Sequence, residues 1–365
     1  MADKKNILLI SVRADYGGGP EHIFRLLPFL HEKYNVYIAC PDDEPYFKRF
    51  ADIIGVKNLI KIPHRKFSPF TYLKLLLFIW SKNIYVVHSH GKGAGIYSRL
   101  FKFFAFTRVF HTFHGLHTGE YSGFQKFLYI GLERFFSLIT EVCISVSDSE
   151  KKRLTEEKIC SGGNMVVIKN GVRIPDSRNS FPDNIPCRIL HTSRFDYAKN
   201  SILLIDIATQ LKELELHEKV IFDVVGDGEG RSTIEKEASN RGLGSMFNFV
   251  GFKSDLTSFY KSAFIYLSTS KWEGLPLSVL ESKSYGIPPV LSNVTGNSDL
   301  VVNGKTGLLY ELDSPFQAAR FIKNLMENRE LWEVLSEAAK EDTIKKYSLE
   351  SSAAQLLALY EKSRG

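Results

Sequence analysis

The sequence predicts an α/β chain of two domains, each a doubly wound parallel sheet covered by helices. Three observations carry this reading. The chain has 365 residues, more than one core usually organises, since cores stop growing near ~250–300 residues. Short β-branched or apolar runs alternate with helical patterns from end to end, the arrangement of strands joined by crossover helices. Ile174 to Pro186 interrupts that alternation with three prolines among Asp, Asn and Ser, residues that favour turns over helix or strand.

In the first half the expected strands are Ile7 to Val12, Val36 to Cys40, Tyr85 to His88, Val109 to Thr112, Val142 to Val146 and Met165 to Ile168. Helical spacing lies between them. Ile23, Leu26, Leu27 and Leu30 fall at i, i+3, i+4 and i+7, the stripe a helix buries against a sheet. The segment Ile174 to Pro186 is the expected hinge, dividing a first domain of residues 1–174 from a second of 187–348. The second half repeats the pattern with Arg188 to His191, Val220 to Val225, Phe247 to Val250, Ile265 to Ser268 and Pro289 to Leu291. From Ser314 onward it is purely helical, with Phe316 to Asn328, Glu330 to Lys346 and Leu349 to Ser363 as candidates. Ligands of such sheets bind beyond the carboxyl ends of the strands, so a cleft between the two domains is the expected site.

Composition narrows the class. With 44% hydrophobic and 24% charged residues, a disordered chain, a collagen-like chain and a disulfide scaffold are excluded. Cys40, Cys143, Cys160 and Cys187 are widely spaced with no C-x-x-C pair, which fits reduced thiols in a cytoplasmic protein rather than a zinc ribbon. The apolar run Ile7 to Val12 is too short for a signal-peptide core, and Tyr72 to Trp80 falls well below the ~18 apolar residues of a spanning helix. The net charge of +6 conceals an asymmetry: Met1 to Arg178 carries 26 basic and 16 acidic residues, the remainder 21 and 25. Between Asp52 and Glu120 there is no acid at all, while ten Lys and Arg occur. An anionic partner of the first domain is implied.

Three loops suggest chemistry. After the first strand, Tyr16-Gly17-Gly18-Gly19-Pro20-Glu21 places glycines before a helix expected to open at Pro20, where backbone amides and the helix N-terminus favour an anion. Gly226-Asp227-Gly228-Glu229-Gly230 has the look of a dinucleotide fingerprint, but Arg231 stands where the third glycine belongs. Nicotinamide-dinucleotide binding is therefore rejected. The third loop, Glu273 to Glu281, follows the apolar strand Ile265 to Ser268; Pro276 marks a first helical position, so amides near Gly274 and Leu275 sit at a helix N-terminus. Glu273 and Glu281, outside and inside that helix, can accept from the hydroxyls of one extended ligand.

The E-x7-E spacing from Glu273 to Glu281, with Ser193-Arg194-Phe195 and Lys199, resembles the retaining nucleotide-sugar glycosyltransferases of family 4, which have the GT-B fold of two Rossmann-like domains. Agreement runs along nearly the whole chain: Gly17-Gly18-Gly19, His111-Thr112-Phe113-His114-Gly115, Asn170-Gly171-Val172, Val225-Gly226-Asp227-Gly228, Val250-Gly251-Phe252 and Asn303-Gly304-Lys305-Thr306-Gly307. The resemblance implies a first, acceptor-binding domain, a second, nucleotide-sugar-binding domain, and a last helix (349–365) packing back on the first. It implies that Arg194 and Lys199 hold the donor diphosphate together with Gly274, Leu275 and Gly18, that Glu281 binds the ribose, and that Val250, Gly251 and Phe252 receive the nucleobase. Glu273 and His114 are the implied catalytic residues, Glu273 at hydroxyls of the transferred sugar and His114 near its anomeric carbon. Fixed cations at a diphosphate leaving group make metal and cofactor unnecessary.

Gly17, Gly19, His88 and His90 are acceptor-side candidates, although His88 and His90 equally suit packing. The H-x-H and H-x-x-H-x-x-H spacings of His88, His90, His111, His114 and His117 fit strand ends better than a zinc site. The acid-free stretch, where Phe70 to Trp80 and Leu100 to Phe106 interleave Lys with large apolar residues, leaves two readings open: a core-facing helix with solvated lysines, or peripheral contact with an anionic membrane. No nucleic-acid recognition motif accompanies the charge. The expected function is transfer of a hexose or N-acetylhexosamine, from a UDP-sugar by preference, to a lipid-linked glycan in bacterial-type surface polysaccharide synthesis. The alternatives are a GT-B sugar-nucleotide epimerase and a non-catalytic carbohydrate- or lipid-surface binding protein.

Overall fold

The computed structural model describes residues 4–116, 121–160, 163–182 and 185–362. His117 and Glu120 lie outside the described residues. Two compact units are present, one formed by Met1–Asn170 with Leu349–Gly365 and the other by Gly171–Ser348.

The first unit holds a parallel sheet of seven strands: β1 (Asn6–Ile10), β2 (Asn35–Cys40), β3 (Leu59–Lys61), β4 (Ile84–His90), β5 (Arg108–Thr112), β6 (Val142–Ser145) and β7 (Met165–Val167), in the order 3-2-1-4-5-6-7. Both faces are covered, which is why β1 and β5 are buried without alternation. The crossover helices are α1 (Gly18–Lys33), α2 (Tyr46–Ile54), α3 (Pro69–Ser81), α4 (Lys92–Leu100), α5 (Gly123–Ile139) and α6 (Asp148–Glu156). The α1 stripe Ile23, Leu26, Leu27 and Leu30 is buried, each such side chain being worth ~1.5–3 kcal/mol. The helix opens at Gly18, two residues before Pro20, because glycines 18 and 19 accept helical geometry once Gly17 supplies an extended cap. Strand order reverses between β1 and β4, so the loops after both strands emerge side by side at the carboxyl edge.

The second unit repeats the plan with six strands, β8 (Cys187–Thr192), β9 (Val220–Val225), β10 (Phe247–Gly251), β11 (Ile265–Ser268), β12 (Pro289–Ser292) and β13 (Leu308–Tyr310), in the order 10-9-8-11-12-13. Its helices are α7 (Ile202–Glu213), α8 (Arg231–Asn240), α9 (Thr257–Ser262), α10 (Leu277–Ser284), α11 (Pro315–Glu327) and α12 (Arg329–Lys346). Here the order reverses between β8 and β11, the strands that precede Arg194 and Glu273. The edge strands β3 and β13 escape the alternation pattern because each has only three residues.

The expected hinge is displaced. Residues 174–182 are held on the second unit: Asn179 donates from its backbone amide to the Tyr285 carbonyl (2.8 Å) and from Nδ2 to the carbonyls of Tyr260 (2.6 Å) and Ala263 (3.1 Å), and Phe181 packs edge-on against Phe264 and Trp332. Lys340 Nζ donates to the carbonyls of Pro175 and Ser177. Proline and Asn here stop regular structure without loosening the chain, and the boundary falls at Asn170/Gly171. The chain returns to the first unit at Leu349, where α13 (Leu349–Glu361) buries Leu349, Ala353, Leu356 and Tyr360 in the core that contains the α1 stripe.

Candidate functional site

In the second unit the loops after β8 and β11 bring three of the expected residues together. Lys199 Nζ lies 2.6 Å from Glu273 Oε1, and the Ser270 hydroxyl donates to the same oxygen at 2.6 Å. Burial works against the Lys199 charge, yet the Glu273 carboxylate outweighs it and holds the ammonium above its ordinary value. Lys199 is thus a fixed cation at neutral pH. Arg194, more exposed, pairs with Asp196 at 2.8 Å, and Asp196 also accepts the Lys199 amide at 3.1 Å. One acidic side chain therefore orders the segment that carries both cations.

Glu273 is braced from behind. Its amide donates to the Thr295 carbonyl at 2.9 Å, and Gly296, with φ +86°, passes so close that a Cβ there would stand 2.7 Å from the Glu273 carbonyl. Asn297, wholly buried, donates to Ser268 and Ser292, and Ser292 donates to the Ser270 carbonyl at 2.6 Å. His191 is buried in the same unit, donates from Nδ1 to the Leu267 carbonyl, and is pulled by burial to a pKa of about 4, so it stays neutral. None of Ser270, Thr295, Gly296, Asn297 and His191 was legible as a site residue. The one cue is a glycine set among polar residues in Val294-Thr295-Gly296-Asn297.

Helix α10 starts at Leu277, with Pro276 as the residue before it, one position later than its proline suggests. Gly274 and Leu275 are buried just ahead of the first turn, where amides lack intrahelical acceptors and the helix dipole favours an anion. The helix is anchored by Lys283, fully buried and 2.7 Å from Asp342 of α12. Glu281 is half-buried and accepts from the Tyr260 hydroxyl at 2.7 Å, with Tyr260 stacked on Tyr285. At the end of β10, Val250 and Phe252 are half-buried and Gly251 takes φ +76°. The Gly226–Gly230 loop has a packing role: a Cβ on Gly226 or Gly228 would lie 1.8 Å from the carbonyl oxygen of Ser193 or Arg194. These glycines let that loop press on the backbone that presents Arg194.

In the first unit, His114 follows β5 and lies next to the glycine loop, with Gly19 positioned so that a Cβ would be 3.8 Å from its ring. Gly17 stands against the Arg13 guanidinium, while a Cβ on Gly18 would meet nothing within 4 Å, leaving room for a ligand atom to approach its backbone. His114 Nε2 is 3.3 Å from His90 Nδ1, and both rings lie near His22. Glu150, buried on α6, accepts from the amides of Gly115 and Val146 and so fixes the loop that carries His114. His88 takes a packing role: it is wholly buried, and its ring nitrogens are engaged by Tyr360 at 2.5 Å and Thr112 at 2.8 Å. Of the two acceptor-side candidates, His88 is therefore enclosed, whereas His90 lies beside His114. Burial drives His22 to a pKa of about 4 and His88 to about 3, with His90 and His111 also well below the ordinary value. These four histidines are neutral at pH 7.

Among the described residues, the group with metal-ligand spacing is Asp15, Asp43 and His64, which includes none of these histidines. Asp15 is already bound by Arg13 at 2.6 Å and His64 is hydrogen-bonded to Asp43, so the group is internally satisfied.

Two doubly wound parallel sheets, with paired cations and carboxylates at the switch point of the second, give the architecture of the GT-B fold. The comparisons are specific to one family within it. Residues 16–174 match the family model for Glycosyltransferase Family 4, and residues 176–342 that for Glycosyl transferases group 1. The chain belongs to the family 4 glycosyltransferases of GT-B fold. It is 26% identical over 313 residues to the UDP-Gal:alpha-D-GlcNAc-diphosphoundecaprenol alpha-1,3-galactosyltransferase of Escherichia coli, covering 80% of this chain and 79% of that protein. It is 23% identical to the capsular polysaccharide biosynthesis glycosyltransferase CapM of Staphylococcus aureus, over 92% of each. Among solved structures, Anabaena Alr3699/HepE in complex with UDP and glucose superimposes with a TM-score of 0.83 at 16% identity, covering 97% of this chain and 99% of that one. Both of these curated relatives are bacterial glycosyltransferases.

Proposed function

We propose that the protein transfers a hexose or N-acetylhexosamine from a UDP-sugar to a lipid-linked glycan, with retention of anomeric configuration and without a metal. The observation that carries the reading is the pairing of Lys199 with Glu273 beside Arg194, at the amino end of α10. A nucleoside diphosphate leaving group gains negative charge as the glycosidic bond breaks, and preorganised cations stabilise that charge most where they need not reorganise. Lys199, held charged by Glu273, meets this requirement, and Arg194 and the α10 amides near Gly274 and Leu275 complete the cradle. Glu273, restrained by Ser270 and Gly296, presents its second oxygen to hydroxyls of the transferred sugar. Glu281, steadied by Tyr260, addresses the ribose, and Val250, Gly251 and Phe252 receive the base. His114, neutral neighbours around it, positions the sugar at the anomeric end, while the leaving phosphate takes the acceptor proton.

Support for the donor comes from the relatives. The E. coli enzyme is named for UDP-Gal and a diphosphoundecaprenol-linked acceptor, and the Anabaena structure contains UDP and glucose. The test uses a panel of nucleotide sugars: a true donor raises the thermal midpoint, and its nucleotide is released only with acceptor present. Glu273→Ala, Arg194→Ala and Lys199→Ala are each expected to lower transfer at least ~100-fold with near-wild-type circular dichroism. Full activity in all three would overturn the assignment, and activity lost in EDTA and restored by a divalent ion would overturn its metal independence.

A further inference from the structure

We propose that the first unit docks on an anionic lipid bilayer through a surface built from α3, the turn 101–106 and α5. Most of the large hydrophobic side chains exposed among the described residues fall between Phe67 and Leu138. On α3, Leu75, Leu76 and Ile79 are buried against the sheet, while Phe70, Leu77 and Trp80 point outward at 81, 55 and 54% exposure. Helix α5 behaves likewise, burying Ile130 and Phe136 and exposing Phe127 and Leu138 at 71 and 82%. The turn joins the two into one face. Trp80 Nε1 donates to the Phe104 carbonyl at 3.1 Å, and Phe103 stacks on Phe135 of α5 with the rings 16° from parallel.

Charge selects the occupant. No acidic residue occurs from 53 to 119, while Lys66, Lys74, Lys82 and Lys102 do. The one carboxylate of α5, Glu133, is turned inward and bound to the buried Arg99 at 2.6 Å, and Glu157 at the rim is held by Lys126 at 3.3 Å. The face is therefore apolar with cations and without a free acid on its own helices. An apolar target protein would match half of this pattern, and a second copy of the chain would set lysine against lysine. Anionic lipid matches both halves: aromatic and aliphatic side chains enter the headgroup boundary, and lysine stems let their ammonium groups stay with the phosphates. A water-soluble monomer rarely leaves so continuous an apolar face uncovered.

The inference rests on the proposed function only for its purpose, presenting the unit to a lipid-linked acceptor, and its test does not read transfer. The full chain is mixed with vesicles of phosphatidylglycerol and phosphatidylethanolamine, or of phosphatidylcholine alone, and sedimented. It should pellet with the anionic vesicles and not with the neutral ones. Phe127→Asp and Leu138→Asp together should weaken binding about tenfold or more, and Lys74→Glu several-fold, with thermal midpoints unchanged because all three side chains are solvent-facing. Brominated lipid should quench tryptophan emission in the wild type and lose most of that quenching in Trp80→Phe, since Trp332 is buried and the half-buried Trp272 belongs to the second unit. Wild-type protein left in the supernatant, equal binding to both vesicle types, or a solution dimer that the paired substitution dissolves would each overturn the proposal. Loss of transfer with vesicle binding intact would count against the catalytic reading alone.

Discussion

Gly228 shows how one missing side chain supports the donor segment. Its φ of +153° and the 1.8 Å distance from its Cβ position to the Arg194 carbonyl leave no room for any other residue. Gly228→Ala must push the 194–196 backbone away or abandon the left-handed conformation, at a cost of roughly 2–3 kcal/mol. We expect a lower urea midpoint and weaker UDP protection together, because the displaced backbone is the one that carries Arg194. A fall in stability with unchanged UDP affinity would show that the contact packs but does not position. At this scale the sequence was most informative where charge and spacing coincide: Glu273, Glu281, Arg194 and Lys199 were visible from their pattern. Gly228 was visible as part of a loop that fails the dinucleotide fingerprint, but its purpose was not, because the carbonyl it accommodates lies 34 residues earlier. Gly296, Asn297 and Glu150 act through carbonyls, amides and hydroxyls brought near by topology, and no local pattern announces them.

The ends of β4 and β5 and the start of α1 share a burden that shows in pH dependence. His22 and His88 are neutral in the folded state with pKa values of about 4 and about 3, against ~6.5 in an unfolded chain. Their folded pKa is depressed, so between these values the unfolded chain binds more protons and stability falls as pH falls. The contribution is fully present above about pH 6.5 and is lost progressively toward pH 4, with each histidine accounting for roughly 2 kcal/mol between pH 7.5 and 5. Urea midpoints over that range should drop steeply, and His22→Gln should flatten the slope; a flat profile in the wild type would mean that the cluster is hydrated. Elements of this kind were largely legible. Runs such as Val220 to Val225 and Ile265 to Ser268 coincide with their strands, since fully buried parallel strands need continuous apolar sequence. Helix starts were less so, because a proline marks where a helix can begin, while Gly18 and Leu277 show where backbone conformation lets it begin.

For the molecule as a whole, the chain order and the unit order differ. The proline-rich segment after Gly171 reads as a linker by composition but is strapped to the second unit, since composition reports what a segment cannot form and not what it lies against. The second unit closes on itself: Val172 donates to the Tyr347 carbonyl at 2.9 Å, so its two ends are neighbours, and its core from Cys187 to Leu335 draws on no residue of the first unit. The first unit is different, because its core includes Leu349, Ala353, Leu356 and Tyr360. The Tyr360 hydroxyl bonds His88, and its carbonyl receives Arg108 at 2.5 Å and the Tyr85 hydroxyl at 3.2 Å. Removing a buried aromatic of this kind costs ~3–5 kcal/mol, a large part of the ~5–15 kcal/mol that holds a domain folded. Ending the chain at Ser348 removes that residue, three further buried side chains and the partners of His88 and Arg108 in one step. We therefore expect the first unit of the shortened chain to lose amide-exchange protection throughout β1, β4 and β5, while the second keeps its protection and its thermal response to UDP. Tyr360→Ala should give the same pattern in weaker form. Protection retained across β4 in the shortened chain would show that α13 caps a sheet already stable without it.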